Sequence, residues 1–257
     1  MKRFSCILFL LFACISCGQK NDFGAPIVNP KSIQSNFMNW WTYQATKIML
    51  SRDYIALDAS SQEMTKENFL NELMNGNYIP IQLESSDCIV YKLFPIEANS
   101  DSSIKATISQ IAFDEFNNLK MEGKPFPVFS FKDLNGTIVS NETMKGKTIV
   151  IKCWYIHCAA CIKEFPQVNA LVKKYKDRDD VVFMSLAEDS PEQLKEFLAK
   201  KPLLYSVVPN MKKYMNETLE LNAFPTHFIV DKNGLIAKVL TNYESLEVAL
   251  EANLKKN

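Results

Sequence analysis

Across residues 32–50 apolar side chains recur at Ile33, Phe37, Trp40, Trp41, Ala45 and Ile48, the three-to-four-residue spacing of a helix with one buried stripe. The area each indole ring covers assigns Trp40 and Trp41 to a core rather than to a ligand platform. A short strand is expected at residues 54–57, then a helix over about 65–75 stopped by Gly76. Two further strands, 78–83 and 88–93, precede a helix that carries Ile104, Ile108, Ile111, Phe116 and Leu119. Cys88 lies beside Ile89 and Val90 and reads as a small buried hydrophobe. Residues 32–122 thus form a small α+β domain.

The pattern breaks at Met121-Glu122-Gly123-Lys124-Pro125-Phe126-Pro127, where two prolines and a glycine cannot continue a helix. A second domain, residues 123–257, begins there. It opens with a short strand at 128–131 and a turn at Leu134-Asn135-Gly136-Thr137, followed by a strand at 148–155 rich in β-branched and aromatic residues. A helix is expected from Cys158 to about Tyr175, burying Ile162, Phe165, Val168, Leu171, Val172 and Tyr175. After a buried strand at 181–186, Ser190-Pro191-Glu192-Gln193 carries the signature of a helix start: a capping serine, a proline in the first turn, and a glutamine to close a capping box. Strands at 226–230 and 235–240 flank Asp231-Lys232-Asn233-Gly234, a tight hairpin, and a last helix starts at Glu244. Strands alternating with helices and ending in a hairpin predict an α/β fold, a mixed sheet flanked by helices.

The amino terminus follows different rules. Met1-Lys2-Arg3 and the apolar run 4–15 have the layout of a signal peptide, too short to span a bilayer. Ile15-Ser16-Cys17-Gly18 resembles the cleavage box of bacterial lipoproteins, with Leu11-Phe12-Ala13-Cys14 as a competing box that leaves a very short signal. The resemblance implies a signal peptide over residues 1–16, lipid on Cys17, and a chain anchored to a membrane of the bacterial cell envelope, facing the periplasm. An ordinary secretory signal is the alternative. Residues 17–31, polar and carrying Pro26 and Pro30, read as a tether. The chain has 29 basic and 29 acidic residues and no basic cluster beyond lysine pairs, so nothing indicates a nucleic-acid surface. Disulfides and thiols are better candidates for partners.

Of seven cysteines, Cys88, Cys153, Cys158 and Cys161 fall in the folded part, too few for a disulfide scaffold. Cys158 stands where a buried strand runs into a helix. There the unpaired N–H groups and the helix dipole favour a thiolate, which makes Cys158 the expected nucleophile. Cys161, three residues on and on the same face, is the resolving thiol that expels the product of the mixed disulfide. A zinc site would need Cys153 and His157 as well, and Cys153 lies inside the strand. No metal is therefore expected, and no cofactor beyond a redox-active Cys158–Cys161 disulfide.

These residues, with the entry Gly123-Lys124-Pro125-Phe126-Pro127-Val128-Phe129, Asp133-Leu134-Asn135-Gly136, Trp154, Glu164, Pro166 and Ala223-Phe224-Pro225-Thr226, resemble the thioredoxin fold and, within it, the TlpA- and ResA-like lipoprotein and periplasmic reductases. The resemblance covers about Gly123 to the C-terminus. It implies a thiol-disulfide oxidoreductase acting on disulfides of exported proteins, with an upstream thiol as electron donor. It also implies a cis Pro225 opposite the cysteines, a Phe224 backbone that pairs with bound peptide, Trp154 and His157 beside the substrate, and Glu164 as proton relay to Cys161. Three positions depart from the family. Ala159-Ala160 separates the cysteines where a proline is frequent, His157 replaces a common tryptophan, and Lys152 stands where thioredoxins bury an acid. Lys152 is expected to pair with Glu164, while His227 reads as structural. The readings set against an oxidoreductase are a non-catalytic binding module and a peroxidase of the same fold. Against the peroxidase, Tyr155 stands where peroxiredoxins carry a Thr or Ser.

Overall fold

Residues 23–256 are described by a computed structural model, so the expected signal peptide and the lipid site at Cys17 lie outside the described residues. The first half builds α1 (Pro30–Ile33), α2 (Phe37–Lys47), β1 (Ile55–Leu57), β2 (Glu63–Met64), α3 (Lys66–Met74), β3 (Tyr78–Gln82), β4 (Val90–Pro95) and α4 (Ser102–Met121). Its sheet runs β2-β1-β4-β3, with β1 and β4 parallel and the other pairs antiparallel. Against it pack Trp40, Phe69, Leu70, Leu73, Ile104 and Ile108, all wholly buried.

Four expectations change here. The single helix over residues 32–50 is two helices, because Asn36 adopts an extended backbone and its side chain accepts the N–H groups of Met38 and Asn39 as a cap. Trp40 is buried, but Trp41 is 39% exposed and stacks on Phe37. Consecutive helical residues point about 100° apart, so both rings cannot enter one core. Cys88 is exposed, since β4 begins two residues later, and its sulfur lies 3.5 Å from Ser85 Oγ. The described part of the expected tether is also not free. Gly24 and Ile27 donate to the carbonyls of Glu84 and Gln82, and Ala25 accepts from Glu84, so this stretch lies along the β3 side of the sheet.

The second half comprises β5 (Ser130–Lys132), β6 (Ile138–Ser140), β7 (Thr148–Trp154), α5 (Ala159–Lys163), α6 (Phe165–Lys174), β8 (Val181–Ala187), α7 (Pro191–Lys200), β9 (Ser206–Val208), α8 (Lys212–Glu217), β10 (Thr226–Val230), β11 (Ile236–Leu240) and α9 (Tyr243–Lys256). The main sheet has the order β11-β10-β7-β8-β9, parallel across β7-β8-β9 and antiparallel across β7-β10-β11, which is the mixed, thioredoxin-like sheet expected. Strand β5 overlaps the strand expected at 128–131 and is followed by the expected turn, whereas β6, β9 and α8 were not anticipated; each is short and carries no full period of its own pattern. The β10-β11 turn is as expected: Asp231 accepts from the N–H groups of Asn233 and Leu235, and Gly234 takes the positive φ of +81° that the turn requires.

Residues alternate between two cores. Ile149, Ile151 and Cys153 of β7 join Phe228 and Val230 of β10 on one face. Val150 and Trp154 of β7 join Ile229 of β10 on the other, under α5, α6 and α9. The same period places Lys152 and His227 on that second face, and they stand directly opposite each other across the β7-β10 pair. Both are fully buried.

The capping box at the start of α7 is complete: Ser190 Oγ accepts from Gln193 N–H, and the Gln193 side chain accepts from Ser190 N–H. Replacing Ser190 with alanine should lower stability by about 1 kcal/mol in urea unfolding followed by tryptophan fluorescence, with disulfide chemistry unchanged. An unaltered midpoint would show that the cap contributes nothing.

Candidate active site

Strand β7 delivers the chain to the site. Its seven residues are all buried and end at Trp154, whose ring meets Phe165 edge-on at 5.1 Å and Phe197 at 6.1 Å. Trp154 was expected to touch substrate; with no exposed surface, it instead props the strand end against the helix that follows. The loop beyond is held by a residue that sequence reasoning did not single out. Asp189, two residues past the end of β8, accepts the N–H of Ile156 at 2.8 Å, and Cys158 N–H turns back to the Tyr155 carbonyl. His157 is exposed on this loop.

Cys158 caps α5, and its Sγ accepts the N–H of Cys161 at 3.1 Å. The two cysteines form a disulfide, with Cα atoms 5.2 Å apart. They are not equivalent: Cys158 is 5% exposed, and Cys161 is wholly buried. The Phe224–Pro225 peptide is cis, and the Phe224 ring packs edge-on against Tyr155, which places the proline loop beside the loop that leads to the cysteines. Cys153 faces the opposite core, where burial pushes its thiol far up, so it is protonated and inert. Among the described residues no group of three or more His, Cys, Asp or Glu is arranged to hold a metal ion.

The helix expected from Cys158 to Tyr175 is broken in two at Glu164. Pro166 has no N–H to give the previous turn and its ring crowds the carbonyl four residues back, so a new helix starts at Phe165. The break turns Glu164 toward the sheet. Its Oε2 receives Lys152 Nζ at 2.6 Å and His227 Nε2 at 3.1 Å, and its Oε1 accepts the N–H of Tyr243 at 2.8 Å. Lys152 was expected here. His227 was not, although its place on the Ile229 face of a buried strand is a signal that the alternating pattern carries.

Burial works against the Glu164 carboxylate, but His227 and Lys152 outweigh it and hold the group down at about 2. Burial also lowers Lys152, opposed by its bond to Glu164. His227 is lowered by burial first and by the adjacent Lys152 cation second. Two cations around one carboxylate in a dry site would repel, so the arrangement is an ionised Glu164, a charged Lys152 and a neutral His227 donating from Nε2. Its buried Nδ1 has no partner.

The chain is similar to known proteins. The Redoxin family model matches residues 121–255. The chain is 32% identical over 120 residues to the thioredoxin-like protein YneN of Bacillus subtilis (strain 168), covering 46% of this chain and 70% of that protein. It is 30% identical over 138 residues to the thiol-disulfide oxidoreductase ResA of Bacillus thuringiensis subsp. konkukian, covering 53% and 79%. Among solved structures it is similar to the thioredoxin domain of a thiol-disulfide oxidoreductase from Bacteroides vulgatus, at 24% identity and a TM-score of 0.47 over 51% of this chain and 96% of that one. With a strand, a capping cysteine, its buried partner and a cis-proline loop in one place, and with these matches, the chain belongs to the Redoxin family as a thioredoxin-fold thiol-disulfide oxidoreductase of the ResA-like group.

Proposed function

We propose that this enzyme reduces or exchanges disulfides of exported proteins through the Cys158/Cys161 dithiol, with no cofactor beyond that pair. The observation that carries the reading is the asymmetry of the two sulfurs. Cys158 keeps a trace of exposure and its Sγ accepts a backbone N–H in the first turn of a helix, while Cys161 is wholly buried behind it. Reduced Cys158 attacks a substrate disulfide as a thiolate; one substrate sulfur leaves as a thiol and the other stays in a mixed disulfide. Cys161 gives up its proton, attacks Cys158 Sγ and releases the second substrate thiol, leaving the Cys158–Cys161 disulfide. An upstream thiol donor then reduces that disulfide by the same exchange in reverse.

The Phe224 backbone beside cis Pro225 pairs with the substrate segment as an added strand, and exposed His157 offers its ring to the same segment. Glu164, one turn beyond Cys161, carries no proton at working pH, so it accepts the one that Cys161 sheds and hands it on at once as a relay. The signal-like start and Cys17 support a lipid-anchored protein facing the periplasm. No helix among the described residues is long and apolar enough to cross a membrane.

Insulin reduction by dithiothreitol should be accelerated by the parent chain and not by Cys158→Ser. Cys161→Ser should accumulate a mixed disulfide, visible by mass spectrometry. A Cys158→Ser variant that keeps the acceleration would overturn the assignment.

The charge at Glu164 also has a consequence for stability. Its folded pKa lies below the ordinary glutamate value, so the contribution is complete above about pH 5 and is lost as pH falls toward 2. Glu164→Gln, which leaves buried Lys152 without its counter-ion, should cost roughly 3 kcal/mol at pH 7, and the gap should close on acidification. Urea unfolding at several pH values measures this, and a gap independent of pH counts against an ionised Glu164.

A further inference from the structure

The N–H that Tyr243 gives to Glu164 belongs to the first turn of α9. Asn242 caps that helix: its side chain accepts the N–H of Ser245 at 2.8 Å and its carbonyl that of Leu246 at 3.1 Å. The carboxylate therefore sits against the positive end of a helix, in the field of its unpaired N–H groups. How well that end is held fixes how well Glu164 is held.

The segment that carries it is gripped by the N-terminal half of the chain on both sides of Tyr243. Ahead of it, Thr241 Oγ1 donates to Glu115 of α4 at 3.1 Å, and Lys238 bonds Asp53 at 2.7 Å and Glu122 at 3.2 Å. Behind it, Arg52 Nε donates to Ser245 Oγ at 3.2 Å. Glu115 and Ser245 are both buried. None of these residues reaches the cysteines by the contacts described, and the chemistry set out above does not use them.

We propose that the N-terminal domain is a positioning element for the disulfide exchange: Glu115 and Arg52, through Thr241 and Ser245, clamp the start of α9 so that its Tyr243 N–H is aimed at Glu164. This rests on the reading of Glu164 as the acceptor of the Cys161 proton. Releasing the clamp lets the helix end move away and leaves the carboxylate misplaced for that proton. Small displacements of a positioned group lower rates steeply.

The test uses the full chain with Cys6, Cys14, Cys17 and Cys88 replaced by serine, which removes the thiols outside the site other than buried Cys153. The reduced protein is mixed with 5,5′-dithiobis(2-nitrobenzoate) in a stopped-flow instrument. Attack by Cys158 releases the first thionitrobenzoate, and resolution by Cys161 releases the second. Thr241→Val and Arg52→Ala should leave the first phase unchanged and slow the second by roughly 3- to 10-fold. In a Glu164→Gln background the same substitutions should slow it no further. An unchanged second phase, equal slowing of both phases, or slowing that persists in the Glu164→Gln background each overturns the clamp.

A Glu164→Gln variant with a normal second phase would instead remove Glu164 from the exchange. The clamp is then judged by the Glu164 carboxyl itself, whose titration by carbon NMR should rise by about one pH unit in Thr241→Val. No rise overturns it.

Discussion

Much of this molecule follows from the need to keep one carboxylate ionised in a place with little water. Burying a charge without partners costs several kcal/mol, so Glu164 is tolerable only where three donors converge on it. Those donors come from three elements far apart in sequence: Lys152 on β7, His227 on β10 and the Tyr243 N–H on α9. Bringing them together requires β7 and β10 to be neighbours in the observed register, the cysteine helix to break at Glu164, and α9 to end its approach over the same face of the sheet. The redox pair is mounted on the short helix just before this charge, so the chemistry and the architecture share one support.

The cysteine pair and the strand–helix order were legible because each has a local signature, whereas the cis-proline loop came from the resemblance to the thioredoxin fold. A cysteine at a helix start and a capping box need no knowledge of distant contacts. The Lys152–Glu164 pair was legible for a different reason: a base inside a wholly apolar strand demands an acid, and Glu164 was the acid nearest the site. His227 was missed because its partner is fixed only by strand register, which no run of residues states. Trp154 was misjudged because burial of that ring depends on Phe197 from α7, an element some forty residues away.

In the first half, single polar residues overrode good patterns. Asn36 offered the backbone a side-chain cap and split a stretch whose apolar spacing was helical throughout, which left Trp41 outside the core. Cys88 looked buried by its neighbours, yet the chain bends there before β4 begins. The buried Glu115 is the opposite case, made acceptable for an acid by the nearby Lys66 ammonium and by hydrogen bonds from Thr241 and Asn118. The boundary at Gly123 is similarly sealed from both sides, with its N–H donated to the Ile236 carbonyl. The two halves thus share hydrogen bonds along a seam and are not joined by a linker alone.

The pairing of Gly24 and Ile27 with Glu84 and Gln82 occupies the open edge of the first sheet beyond β3. An uncovered edge strand offers its N–H and C=O groups to a strand of another molecule, so the chain's own residues blunt that edge against sheet-to-sheet association.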